Sequence, residues 1–241
     1  MKPMMLVVRR DLAAYFNSLW GYVVVASILV IDGLLFNAYS LGSGARYSTK
    51  VLEEFFYFSF GTTMVAAVLL TMRLIAEERQ TGTASLLDAS PLTDWQIVGG
   101  KYLSAMVFLS LLTLSTLYMP ALIFVNGKVA IGQIAAGYAG LLLAGSAAVA
   151  VGTFGSSVAR NQLFAAVVSS FLVVFFLVTW MLARKTEAPF SEIFSYMSLF
   201  DKHFQPFMRG RVNLDGIVYY LTVTYAFLML SVRWMSTRRW R

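Results

Sequence analysis

The chain has 241 residues, 59% of them hydrophobic and 13% charged, whereas a soluble domain is about 25% charged. Apolar runs of about 20 residues recur along its whole length, which excludes a single water-soluble core and predicts an all-α polytopic membrane protein. The net charge of +7 does not indicate nucleic acid, because Lys and Arg sit at the ends of the apolar runs and form no continuous basic face; they read as orientation signals and partners of membrane lipids. With no cysteine, a disulfide framework, thiol catalysis and a thiolate metal site are all excluded.

In chain order, residues 1–18 carry Lys2, Arg9, Arg10 and Asp11 among apolar positions, unlike a cleavable signal peptide. Met5, Val8, Leu12, Tyr15, Phe16 and Leu19 gather on one side of a helical wheel, which predicts an N-terminal interfacial helix. Six spans follow, at residues 20–39, 55–72, 102–125, 134–158, 163–183 and 217–235. Each is read as a helix because a spanning segment must satisfy its backbone internally. Residues 41–54 read as a loop between the first two spans, and Pro120 predicts a kink or an early stop in the third. Two soluble-looking connections remain, residues 73–101 and residues 184–216, the second expected to be helical.

Basic residues set the expected orientation. With the N-terminus inside, the inner segments hold eleven Lys and Arg and the outer ones eight, five of those in residues 184–216. Long segments weigh little in the positive-inside rule, so both termini are expected on the cytoplasmic side, with Trp240 and the terminal arginines capping the last span there.

The inner connection is informative residue by residue. Leu74, Ala76, Glu77 and Glu78 prolong the second helix beyond the membrane, and Gly82 permits a sharp turn. Thr83 or Ser85 can cap a short amphipathic helix containing Leu86 and Leu87, which Pro91 ends. Thr93 reads as a cap for the stretch through Trp95, Ile97 and Val98 into the third span. The expected result is a rigid helical elbow beneath the bilayer.

The run from Ala76-Glu77-Glu78 through Gly82-Thr83, Leu86-Leu87, Pro91-Leu92-Thr93 and Ile97-Val98-Gly99-Gly100-Lys101 resembles the ABC-2 type permease family over nearly the whole chain. That resemblance implies one transmembrane domain over residues 1–241 in a bacterial inner membrane. It implies separate ABC ATPase subunits, which bind the ATP and magnesium, and a second permease copy or a homologous permease subunit. It also implies that the elbow is a coupling element resting in a cleft of the ATPase, with Glu77, Glu78, Arg79, Thr81, Gly82 and Thr83 as candidates; a solvated loop whose acids neutralise nearby arginines is the plainer alternative. Residues 196–220, with His203-Phe204, Arg209-Gly210, Leu214 and Tyr219-Tyr220, are similar to the outer segment of gliding-motility-type permeases. This leaves room for an accessory periplasmic protein, and for a subunit that transmits force to envelope machinery instead of moving cargo.

A P-loop needs Gly-x-x-x-x-Gly-Lys followed by Ser or Thr. The nearest text, Gly99-Gly100-Lys101-Tyr102, ends in Tyr and lacks the upstream glycine, so no cofactor is expected on this chain itself. His-Glu-x-x-His and Gly-x-Ser-x-Gly are absent, and the one histidine, His203, cannot form a histidine metal cluster. A membrane enzyme or a scaffold is therefore the weaker alternative to a permease.

Within the spans, Asp32 stands out, because a carboxylate at the bilayer centre costs about 2.5 to 3.5 kcal/mol on insertion scales. It reads as part of a translocation pathway or intersubunit pair, as a protonated acid bonded to Ser27 or Asn37, or as a residue sitting close to the outer interface. The fourth span carries Gly140, Ala144, Gly145, Ala148 and Gly152, small residues that let helices approach closely within the chain or between copies. Phe171, Phe175, Phe176 and Trp180 of the fifth span read as lipid-facing. Phe190, Ile193, Phe194, Met197 and Phe204 suit amphipathic helices at the outer leaflet, as an exit gate or a simple anchor.

Overall fold

The computed structural model describes residues 2–41, 47–84, 90–123, 130–187 and 189–239. Over these the chain is helical, with no strand among the described residues, and six helices are long and apolar enough to cross a membrane. The N-terminal helix α1 (Lys2–Asn17) is followed by the first span, α2 (Leu19–Leu35), which continues as a π-helical stretch Phe36–Leu41. Ser18 separates the two helices, and its hydroxyl accepts from the Gly21 amide at 3.2 Å, an N-cap that starts α2 afresh.

The second span is α3 (Ser48–Thr71), followed by a short α4 (Ala76–Gln80). Helix therefore begins seven residues before the expected start at Phe55, because Val51 and Leu52 are already buried and extend the apolar face into what reads as a polar loop. The third span, α5 (Asp94–Ser115), starts at a full capping box, in which Thr93 accepts from the Gln96 amide and Gln96 accepts from the Thr93 amide. It resumes as α6 (Tyr118–Ile123). The break falls at Thr116–Leu117 rather than at Pro120 itself. Pro120 has no N–H for the Thr116 carbonyl four residues back, and its ring crowds that carbonyl, so the turn before it opens.

The remaining spans are α7 (Ile131–Val158), α8 (Gln162–Ala183) and α11 (Leu214–Arg239), with α9 (Phe190–Met197) and α10 (Gln205–Met208) between the last two. The fourth span, α7, is the hub: it packs against α3, α5, α8 and α11, and 72% of its apolar window is buried, against 22% for α8. Glycines make this contact close. A Cβ at Gly137 would lie 2.2 Å from the Phe56 ring, at Gly140 2.6 Å from Phe207, and at Gly152 2.0 Å from the Thr71 hydroxyl. Gly145, Ala144 and Ala148 lie between these points, with Gly145 against Leu109. All of these neighbours belong to the same chain.

Helix α1 lies along α5. Val7, Val8 and Tyr15 are buried, and Leu12 packs on the core, whereas Met5, Phe16 and Leu19 are exposed. The wheel read from the sequence is therefore rotated in the structure, because the closest approach is set by Gly99 and Gly100, which meet Met4 and Val7.

The connection before the last span folds onto the bundle. Phe204 and Phe207 are fully buried, so Phe204 does not face the outer leaflet as expected, while Phe190 and Ile193 of α9 are exposed. Gly210 turns the chain after α10 with φ of 77°, a conformation natural only to glycine, and Arg209 beside it is exposed. His203 is buried, stacked on Tyr219 at 3.8 Å, and its Nε2 lies 3.0 Å from the Tyr196 carbonyl. Its Nδ1 has no hydrogen-bond partner among the described residues. Burial pushes the imidazole below its ordinary value of 6.5, so the neutral ring is the folded form. Stability from this site is complete above that value and declines as pH falls below it, where the unfolded chain takes up a proton first. The thermal midpoint of the purified chain is expected to be flat above pH 6.5 and to fall toward acid. His203→Gln should start lower and fall less steeply toward acid, the paired carboxylates of the elbow supplying the rest of the slope, and an identical slope in the two proteins would refute the assignment.

Candidate functional site

One end of the bundle gathers the charges. Lys101 enters from α5 with its side chain only 3% exposed. Its Nζ donates to Asp11 of α1 at 3.1 Å and to Glu78 of α4 at 2.9 Å. Arg10 completes the cluster, donating to Glu78 at 2.7 Å and to Asp11 at 2.8 Å. Two cations and two carboxylates therefore neutralise one another across three helices, as a buried ionic group must. Gly99 and Gly100 admit α1 closely enough for Asp11 to reach the lysine.

The elbow is anchored at further points. Arg73 holds Glu77 through two hydrogen bonds of 2.8 and 2.6 Å. The Ser156 hydroxyl at the end of α7 accepts from the amides of Ile75 and Ala76, at 3.0 and 3.1 Å, and so caps α4. The Arg79 guanidinium donates to the carbonyls of Ser157 and Ala159, the latter at 2.9 Å, and Gln80 accepts from the Gln162 amide at 3.2 Å. The base of α4 is thus fastened to α1, α5 and the junction of α7 with α8.

Beyond this base the chain turns outward. Gln80, Thr81, Gly82 and Thr83 are exposed, and Gly82 adopts φ of 77° with no described residue within 4 Å of where a Cβ would stand. Thr81 and Thr83 donate to the carbonyls of Glu77 and Glu78, at 2.9 and 3.3 Å, and tie the turn back to α4. The amphipathic helix expected around Leu86 and Leu87 lies outside the described residues, as do Ser85, Arg46, Lys128, Trp240 and Arg241. A cavity of about 410 Å³ opens between α1 and the elbow, lined by Arg10, Asp11, Arg73, Glu78 and Lys101.

Of the six elbow residues expected to couple, Thr81, Gly82 and Thr83 form the exposed tip, whereas Glu77, Glu78 and Arg79 are bound into the base. Charge reversal at Glu78 would set a cation against Lys101 and Arg10, so it perturbs the cluster before it perturbs any partner surface. Sequence reasoning missed Arg10, Asp11, Lys101 and Ser156. A lysine just inside an apolar span and preceded by two glycines was the available signal, since it demands a nearby carboxylate and a close neighbour.

Asp32 is remote from this site in the chain. It is 4% exposed and accepts from Thr62 of α3 at 2.7 Å, rather than from Ser27 or Asn37, because the facing helix offers a hydroxyl at its own level.

Charged elbow, six apolar helices and glycine-rich fourth span coincide with a match of the sequence profile for ABC-2 family transporter proteins to residues 14–236. The chain belongs to the ABC-2 transporter family. No curated protein matches it. As an ABC-2 family member it is a multi-pass membrane protein, the permease component of an ABC transporter that works with ABC ATPase subunits.

Proposed function

We propose that this ABC-2 permease is the membrane half of an exporter and that the elbow receives the stroke of the separate ATPase. The observation that supports this is the contrast within residues 77–83, where a base fastened to four other helices carries an exposed, glycine-turned tip. A push on such a tip is delivered to α1, α5, α7 and α8 together instead of being lost in a loose loop. Hydrolysis of ATP, with its magnesium, belongs to the partner subunits, and a second permease copy or homologous subunit completes the path. The distribution of Lys and Arg supports an inner-membrane location with both termini and the elbow on the cytoplasmic side.

Gly82→Val tests the coupling. A β-branched residue at φ of 77° costs on the order of 1–3 kcal/mol, and no described residue crowds the side chain, so the damage centres on the shape of the tip. The variant should reach the membrane at normal abundance while ATPase copurification or permease-stimulated ATP turnover falls severalfold. Normal assembly and turnover would remove the elbow from the coupling path. A single-cysteine label at position 202 of the cysteine-free chain, reacting in intact cells, is expected from the proposed orientation, and reaction only after lysis would reverse it.

A further inference from the structure

At the end of the bundle away from α4, two cavities share a rim. The first, about 500 Å³, is an apolar groove between α2, α3 and α8, with Ile31, Leu35, Tyr57, Val65 and Leu177 on its walls. The second, about 490 Å³, is a polar cup lined by Arg184, Glu192, Asp201 and Lys202. Trp180, Arg184 and Asp201 line both, so the apolar groove opens into the charged cup.

Three of the four charges in the cup are held by groups other than each other. The Arg184 guanidinium lies over the Trp180 ring at 4.7 Å, and the Lys202 ammonium over the Tyr196 ring at 4.3 Å. Asp201 accepts from Gln205 at 2.9 Å. Among the described residues no ion pair joins either cation to Asp201 or Glu192. Two cations and two carboxylates thus stand in one cup with their opposite signs kept apart, in contrast to the elbow, where the same four charges collapse onto one another.

A ligand complementary to this arrangement carries an anion and a cation on one head and a hydrocarbon tail. We propose that groove and cup together bind one zwitterionic phospholipid. Its phosphate meets Arg184 and Lys202, its ammonium meets Asp201 and Glu192, and one acyl chain lies along α3. The groove follows α3 from Tyr57 to Val65, about 12 Å at the helical rise, which is most of one leaflet's hydrocarbon depth of about 15 Å. Because the four charges sum to zero, a singly anionic head gains less from the cup. This binding site stands apart from the coupling proposal and requires no transport of the lipid.

Gly61 provides the test, since it lines the groove and a Cβ there meets nothing within 4 Å; Gly61→Phe therefore fills the groove from an unstrained position. The full chain in nanodiscs is photolabelled with phosphatidylethanolamine or phosphatidylglycerol carrying a diazirine in the tail, and the labelled peptides are mapped. Phosphatidylethanolamine should label residues 57–65 and the facing part of α2 about tenfold over phosphatidylglycerol, the size expected from charged hydrogen bonds. Gly61→Phe should abolish that label, and Arg184→Gln with Asp201→Asn should erase the lipid preference while leaving tail labelling in place. Uniform labelling of every exposed apolar helix, or labelling indifferent to Gly61→Phe, overturns the proposal. The chain has no cysteine, so Gly61→Cys reports the rival occupant cleanly: a high-yield disulfide between two such chains, with no lipid label in the groove, would make a second copy the occupant instead.

Discussion

Lys101→Met is expected to lower the stability of the purified permease by about 3 to 5 kcal/mol, the range for stripping one partner from a buried ion pair. The substitution keeps the length and apolar stem of the side chain but removes the ammonium that lies 3.1 Å from Asp11 and 2.9 Å from Glu78. Arg10 then faces two carboxylates alone, and it is the exposed member, with half of its side chain in water. Combining Lys101→Met with Glu78→Gln removes a charge of each sign and should recover part of the loss, because it leaves Arg10 with Asp11 as a simple pair. Thermal or denaturant midpoints of the four proteins form a double-mutant cycle. Additive losses would show that lysine and glutamate do not act on each other, and the cluster would no longer account for the fastening of the elbow.

Gly152→Leu should be the most damaging change within the spans. Its Cβ alone would stand 2.0 Å from the Thr71 hydroxyl, and Thr71 has no exposed surface into which to retreat. Ser169 of α8 reaches the Gly152 carbonyl at 3.2 Å, so α3, α7 and α8 converge there. Overpacking costs typically about 1–3 kcal/mol for added methylenes that the core can partly absorb, and here a whole branched side chain meets backbone-close neighbours. The expected outcome is loss of monodisperse protein from the membrane fraction, while Gly132→Ala in the same helix, with no described residue within 4 Å, behaves as wild type. Equal yields of the two variants would refute the close contact.

The spans were legible because a bilayer requires long apolar runs, and the described part of each run is helical, the third as α5 continued by α6. The ends were less so. Ser48 to Glu54 looks like loop by composition, yet Val51 and Leu52 are buried in the core, and the helix extends. The turn at Gly82 was legible since only glycine takes that backbone freely. The elbow's fastening was not, because it pairs Arg10 with Glu78 and Lys101 with Asp11, partners 68 and 90 residues apart, and no periodicity links such positions. Glu78 and Arg79 look from sequence like charges offered to a partner, and only tertiary structure reveals that the chain itself occupies them. The direction of α1 failed for a related reason: a helical wheel ranks apolarity, whereas the burial of Val7 follows from two glycines on another helix.

The central position of α7 also orders the birth of the molecule. Spans leave the ribosome in sequence, and α2, α3 and α5 emerge before the helix against which α3 and α5 pack. Until residues 131–158 have entered the bilayer, Phe56 has no glycine to rest on and the Ile75 and Ala76 amides lack the Ser156 hydroxyl that caps them. The first half of the protein therefore waits in the membrane with α1, α4 and α5 able to form their charge cluster, but with α3 and α5 still lacking the hub on which they pack. The bundle closes around its centre only when the fourth span arrives.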